Sequence, residues 1–350
     1  MGPMVTVTQI GRFFGVSATT VCNALNGRGG LAAEKARSIR AYADKVGYRP
    51  AYMAKSLLKG RTDMIGLCLR AGPEDPWFAG LLHRVQNRFR DRGFHLNPGF
   101  AEGGLEQERQ VLNLFREFRV DAVLVGPLGL LAQYRALADL LVHHHYVLAF
   151  DAVESLPVDH VKIDAYRGAQ LAVDHLAAHG HRRIGFLAAH PLERNHPAFR
   201  TRLAGYYNAL RRHGLPLRPK WIIALDTDPD PIDHPLSAFL AGKPELPSAF
   251  FCHNDLQAAR AIKVFDQFGI RVPRDVSLVG FDNQPIADIT LPGLTSVGFD
   301  LDHYAEQIVV RVLRAVGKKG GLKRSLASPP AWQFEEPPKL IERQSVRRIV

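Results

Sequence analysis

At 350 residues, with 46% hydrophobic and 23% charged residues, the chain has the composition of a soluble protein of roughly two to three domains. No apolar run approaches the roughly 20 residues of a membrane span. Met1 to Val5 does not open a signal peptide, and Cys22, Cys68 and Cys252 are too scattered for a disulfide framework or a clustered metal site, so a cytoplasmic protein is expected, with no membrane partner and no bound metal. The net charge of +11 is uneven, because residues 1 to 61 hold ten Lys or Arg against only Glu34 and Asp44, as expected if one end neutralises phosphates.

In chain order, Thr6 and Gln9 have the spacing of a capping box, so a helix is predicted from about Val7. Ile10 and Phe14 lie on one face of it, and Gly15 follows where the chain must turn sharply. Ser17 is a second N-cap, with Val21 and Leu25 spaced to pack a second helix against the first. Two short helices about a tight glycine turn describe a DNA-reading helix-turn-helix. After Gly27 to Gly30, a third helix is predicted from about Ala32 to Gly47, with Ala36, Ile39, Ala43 and Val46 inward. A short helical hinge over Ala51 to Leu58 is marginal alone and expected to form when held by DNA or a partner chain.

From Met64 onward, short apolar runs alternate with amphipathic segments. Residues 65–69, 122–125, 146–150, 184–187, 249–252 and 276–281 read as buried parallel strands. Residues 78–92, 106–118, 165–179, 202–213 and 255–268 read as helices. This alternation predicts an α/β body of doubly wound parallel sheets with ligand groups at strand C-termini.

Several strings, in order, carry a family resemblance: Val16-Ser17 to Val21, Ala24-Leu25-Asn26, Gly47-Tyr48-Arg49-Pro50, Gly180-His181-Arg182-Arg183-Ile184-Gly185, Arg202-Leu203-Ala204-Gly205, Asn254-Asp255, Asp275 to Asp282, and Leu340 to Ser345. The chain resembles the LacI/GalR family of bacterial transcription regulators over almost its whole length. The resemblance implies a helix-turn-helix headpiece over 1–48 and a hinge over 49–61. It implies an effector-binding and dimerisation domain over 62–350, built as two subdomains like those of periplasmic sugar-binding proteins. The first is expected at about 62–161 and 296–325, the second at about 162–292 and 327–350, with crossovers near Val161, Pro292 to Val297 and Leu326.

By the same resemblance, Ala18, Thr19 and Asn23 face base edges in the major groove. Asn23 suits adenine, whereas many relatives carry Arg there, which would favour guanine. Thr6, Ser17, Thr20 and Asn26 offer hydroxyls and an amide suited to phosphates, which fix register without reading sequence. Leu57 matches the family's hinge leucine, pushed by two protomers into the minor groove of a pseudo-palindromic operator in double-stranded DNA, with Lys55 on the backbone nearby.

Positions matching the family's effector site are Trp77, Phe78, Asp151, Arg202, Asn254 and Asp282, with Arg194 a further candidate in the loop Glu193 to Thr201. Carboxylates, an amide and a guanidinium beside an aromatic ring suit a sugar or polyol. A homodimer is expected through the helices 78–92 and 255–268, because the C-terminus lacks the heptads of a tetramer-forming coiled coil.

Gly-x-Gly-x-x-Gly after a strand, a P-loop and a Gly-x-Ser-x-Gly elbow are all lacking, so neither enzyme activity nor a cofactor is expected. A periplasmic-type binding protein without regulatory role would share the body. It would have no reason for the basic headpiece.

Overall fold

The computed structural model describes residues 5–25, 27, 31–48, 60–69, 76–101, 104–126, 146–150, 158–188, 197–224, 233–317 and 332–349. They fall into two compact units, Met1–Thr62 and Asp63–Val350.

The first unit has three helices: α1 (Val7–Phe14), α2 (Ala18–Leu25) and α3 (Ala33–Lys45). The capping box forms at the start of α1, where the Thr6 amide donates to Gln9 Oε1 at 2.8 Å and the Gln9 amide to Thr6 Oγ1 at 3.3 Å. Gly15 ends the helix at φ 62°, in the left-handed region, and redirects the chain into α2. Ile10, Val21, Ala24, Ala36, Ile39 and Ala43 form the buried core. From α3, Arg40 Nε donates to the Ala24 carbonyl at 2.8 Å, adding a charged donor to a carbonyl at the end of α2 that the Gly27 amide reaches at 3.4 Å.

The second unit holds two six-stranded sheets. The first combines β1 (Met64–Leu69), β2 (His95–Phe100), β3 (Ala122–Val125), β4 (Val147–Phe150), β5 (Asp159–Ile163) and β11 (Gln333–Glu336), in the order β11-β5-β4-β3-β1-β2. The second combines β6 (Ile184–Leu187), β7 (Ile222–Ile223), β8 (Ala249–Cys252), β9 (Ser277–Phe281), β10 (Thr295–Gly298) and β12 (Lys339–Ile341), in the order β12-β10-β9-β8-β6-β7. Pairing is parallel except between β10 and β12.

The helices of this unit are α4 (Pro76–Asp91), α5 (Leu105–Glu117), α6 (Ala165–Ala178), α7 (Pro197–Arg212), α8 (Asp233–Ala241), α9 (Asp255–Gln267), α10 (Pro285–Ile289) and α11 (Leu301–Val316). One apolar cluster runs through both halves, from Ile65, Leu124 and Val161 to Phe186, Phe251 and Phe281.

The chain passes between sheets at Asp164, at Phe299-Asp300 and at Pro337-Pro338. The first falls near Val161 as expected, and the other two differ from the boundaries read from sequence. Residues 295–298 are a strand of the second sheet rather than a connection, and β11 returns the chain to the first sheet well after Leu326, which lies outside the described residues. The physical reason is brevity, because four-residue strands such as Thr295–Gly298 carry too little pattern to separate from a loop. All three crossings leave from the carboxyl ends of parallel strands, so the crevice between the halves is bounded by carboxyl ends, where ligands bind in such sheets.

Candidate DNA-reading helix and effector cleft

On α2, Thr19 and Asn23 are exposed and four residues apart, hence on one face, while Ala18 is half-buried. Val21 and Ala24, on the opposite face, are buried in the three-helix core. Ser17 Oγ accepts the Thr20 amide at 3.1 Å and lies 2.8 Å from the Thr20 hydroxyl, so these two groups first cap their own helix. Thr6 is similarly engaged with Gln9. Asn26, Lys55 and Leu57 lie outside the described residues.

In the body, Arg202 on α7 is buried. Its Nη1 donates to the carbonyl of His253 at 2.5 Å, its Nη2 pairs with Asp282 Oδ1 at 3.2 Å, and the guanidinium lies 3.9 Å above the Phe281 ring. Both side chains of the pair are only 7% exposed. His253 and Asp282 directly follow β8 and β9, so the pair sits at the carboxyl edge of the second sheet. Two of the guanidinium's five donors are committed there, and Arg202 Nε is buried with no partner among the described residues.

Asn254 is beside this pair in sequence, and its Oδ1 caps α9 by accepting the Gln257 amide at 2.9 Å. Trp77 and Phe78 behave differently. Trp77 is 7% exposed, edge-on to Phe78 at 4.9 Å and 6.3 Å from Tyr304, and Phe78 borders an apolar gap with Leu67, Leu81 and Leu124. The structure therefore packs both rings in the apolar core of the first half. Asp151 and Arg194 lie outside the described residues. The loop expected to reach Thr201 is shorter, because α7 begins at Pro197, a residue that suits a first helical turn.

Asp255 enters the sequence analysis only within a string and as the start of a helix, yet its side chain ties α9 to the residues after β9 and to β10. It is fully buried, its Oδ2 accepts the Gln284 amide at 2.6 Å, and its Oδ1 accepts the Ser296 hydroxyl at 2.5 Å. Burial, helped by the nearby charge of Asp282, pushes its carboxyl up to about 7. The sequence signal available was Gly280, where an added Cβ would overlap Asp255 Oδ1.

The periplasmic binding protein-like domain family matches residues 173–346 of the chain. The HTH-type transcriptional repressor PurR of Escherichia coli is 31% identical over 350 residues, covering 98% of this chain and 97% of that protein. PurR of Photobacterium profundum is 29% identical over 349 residues, covering 99% and 100%. The lac repressor dimer bound to operator and the anti-inducer ONPF superposes with a TM-score of 0.82 at 21% identity, over 99% of this chain and 100% of that one. The complex of the transcriptional regulator CelR with cellobiose gives 0.69 at 22% identity, over 97% and 99%. The last two likenesses establish the fold.

Proposed function

The chain belongs to the LacI/GalR family of bacterial transcription regulators, and on that premise we propose that it is a homodimeric repressor whose grip on a pseudo-palindromic operator is set by a sugar or polyol. It is a DNA-binding regulator modulated by a small molecule, and not an enzyme. In this reading two copies of α2 enter successive major grooves. Thr19 and Asn23 meet base edges, the Ala18 methyl packs beside them, and Thr6, Ser17, Thr20 and Asn26 fix register on phosphates. Lys55 and Leu57 act in the minor groove at the operator centre.

The effector binds at Arg202 and Asp282 with Asn254, and with Asp151 and Arg194 on the surrounding walls, while Trp77 and Phe78 support the wall of the first half from its core. The observation that carries this is the buried Arg202–Asp282 pair at the carboxyl edge of the second sheet. It presents spare donors beside a carboxylate, which suits hydroxyls that both donate and accept. The ligand acts by binding the DNA-competent and incompetent states with different affinities.

The test has two arms on the full-length protein. Selection from random DNA is expected to enrich a two-fold symmetric site, and an enriched site without symmetry contradicts the paired headpieces. A thermal-shift screen of sugars, polyols and phosphorylated metabolites is expected to find a stabilising compound. Arg202→Lys, which keeps the charge and loses the planar fork, should abolish that shift, and a shift that survives the substitution removes Arg202 from the site.

A further inference from the structure

We propose that Asp255 is the positioning residue of the effector site: its buried carboxyl holds the Asp282 to Gln284 loop in the conformation that aims Asp282 at Arg202. The inference rests on the effector reading above, to which it adds a residue that does not itself face the ligand.

The loop is held in an unfavourable shape. Asp282 and Asn283, neither of them glycine, have φ of 90° and 45°, both in the left-handed region. Such residues persist only where the surroundings over-determine them. Here three successive amides are fixed. The Asp282 amide donates to the Val297 carbonyl at 2.7 Å, the Asn283 amide to Ser296 Oγ at 3.1 Å and the Gln284 amide to Asp255 Oδ2 at 2.6 Å. The Ser296 hydroxyl donates in turn to Asp255 Oδ1 at 2.5 Å, so the second and third anchors both end on one carboxyl group.

Asp255 and Ser296 are completely buried, and water cannot replace either anchor without opening the sheet. Arg343 closes the outer side, with Nη2 donating to Asn283 Oδ1 at 3.0 Å and Nη1 to the Leu294 carbonyl at 2.8 Å. Gly280 completes the arrangement, because the carboxyl group occupies the space of its missing side chain. The hydrogen bonds therefore run from the loop into α9 and β10, and the geometry of the Arg202–Asp282 pair depends on a residue one position beyond Asn254.

Hydrogen exchange of the full-length protein, read amide by amide, tests this. In Asp255→Ala the Gln284 amide is expected to exchange about tenfold faster or more, while amides of β8 and the middle of α9 keep their protection. Asp255→Asn, whose carboxamide oxygen can still accept from Gln284, should restore most of that protection. Should Asp255→Ala not fold, Ser296→Ala is expected to loosen the Asn283 amide in the same selective way. A crystal structure of either loosened variant should show the Arg202–Asp282 contact lengthened beyond hydrogen-bond range.

Unchanged exchange at residues 283 and 284, uniform loosening of the whole second half, or an intact Arg202–Asp282 contact overturns the proposal. Failure of the effector reading looks different: the loop loosens as expected, yet Arg202→Lys still responds to the stabilising compound.

Discussion

At the scale of single residues, the proposed function assigns base reading to Asn23 and effector binding to Arg202. Asn23 is exposed on α2 one turn beyond Thr19, where its amide can donate and accept together against the edge of adenine. Asn23→Arg replaces that pair with a fork that fits guanine, so selection from random DNA is expected to exchange adenine for guanine at one position in each half-site, a preference of about 1–3 kcal/mol. An unchanged consensus would place Asn23 on the backbone. Arg202 is buried against Asp282, and removing it takes a guanidinium away from a buried carboxylate. Arg202→Ala is therefore expected to cost about 3–5 kcal/mol of stability in chemical denaturation. Arg202→Lys should cost less, because it keeps a cation near Asp282 while losing the hydrogen-bonding fork.

At the scale of elements, the headpiece depends on its helix ends. Thr6→Ala removes the side-chain half of the capping box on α1, leaving the backbone amide of residue 6 to donate to Gln9 Oε1, and should lower headpiece stability by about 1 kcal/mol. Calorimetry should show this as a lower headpiece transition with the transition of the body unmoved. Another element carries an exposed apolar surface: Ile289, ending α10, is 76% exposed and Leu291 90%, beside the groove bordered by Ile262, Val272 and Pro292. If the proposed dimer uses this face together with α9, Leu291→Asp should shift sedimentation toward monomer at micromolar protein. A variant that stays dimeric places the interface elsewhere.

The headpiece elements were legible because each has its own chemical punctuation: Thr6 with Gln9, Gly15, then Ser17. The buried strands β1, β3, β6, β8 and β9 were legible as apolar runs. Strand β2 was not, since Asn97-Pro98-Gly99 reads as a turn, but at a sheet edge the missing proline amide costs no ladder bond. Asp255 was hidden for another reason. Its role comes from Gln284 and Ser296, 29 and 41 positions further along the chain, and no local spacing reports such contacts.

At the scale of the whole molecule, two buried groups in the second half give opposing pH dependences of stability. Burial raises the Asp255 carboxyl to about 7, with the charge of Asp282 acting in the same direction. The native state therefore keeps a proton that the unfolded chain loses near pH ~4. The stability contributed is complete below about pH 4 and declines as pH rises to about 7. His181 works the other way. Its ring is buried between the Ser248 hydroxyl at 3.0 Å and the Arg347 carbonyl at 3.1 Å, and burial lowers its pKa to about 4. The unfolded chain takes up that proton near pH ~6.5, so this contribution is present above about 6.5 and is lost as pH falls toward about 4. Each slope approaches about 1.4 kcal/mol per pH unit where the windows overlap, so the two largely cancel. Asp255→Asn removes only the declining limb. The free energy of unfolding of the variant relative to the native sequence, measured by denaturant titration from about pH 4.5 to 8, is expected to climb up to about pH 7 and then level off. Because every other ionisable group is common to both proteins, the difference isolates Asp255, and a difference independent of pH would mean that its carboxyl is ionised throughout.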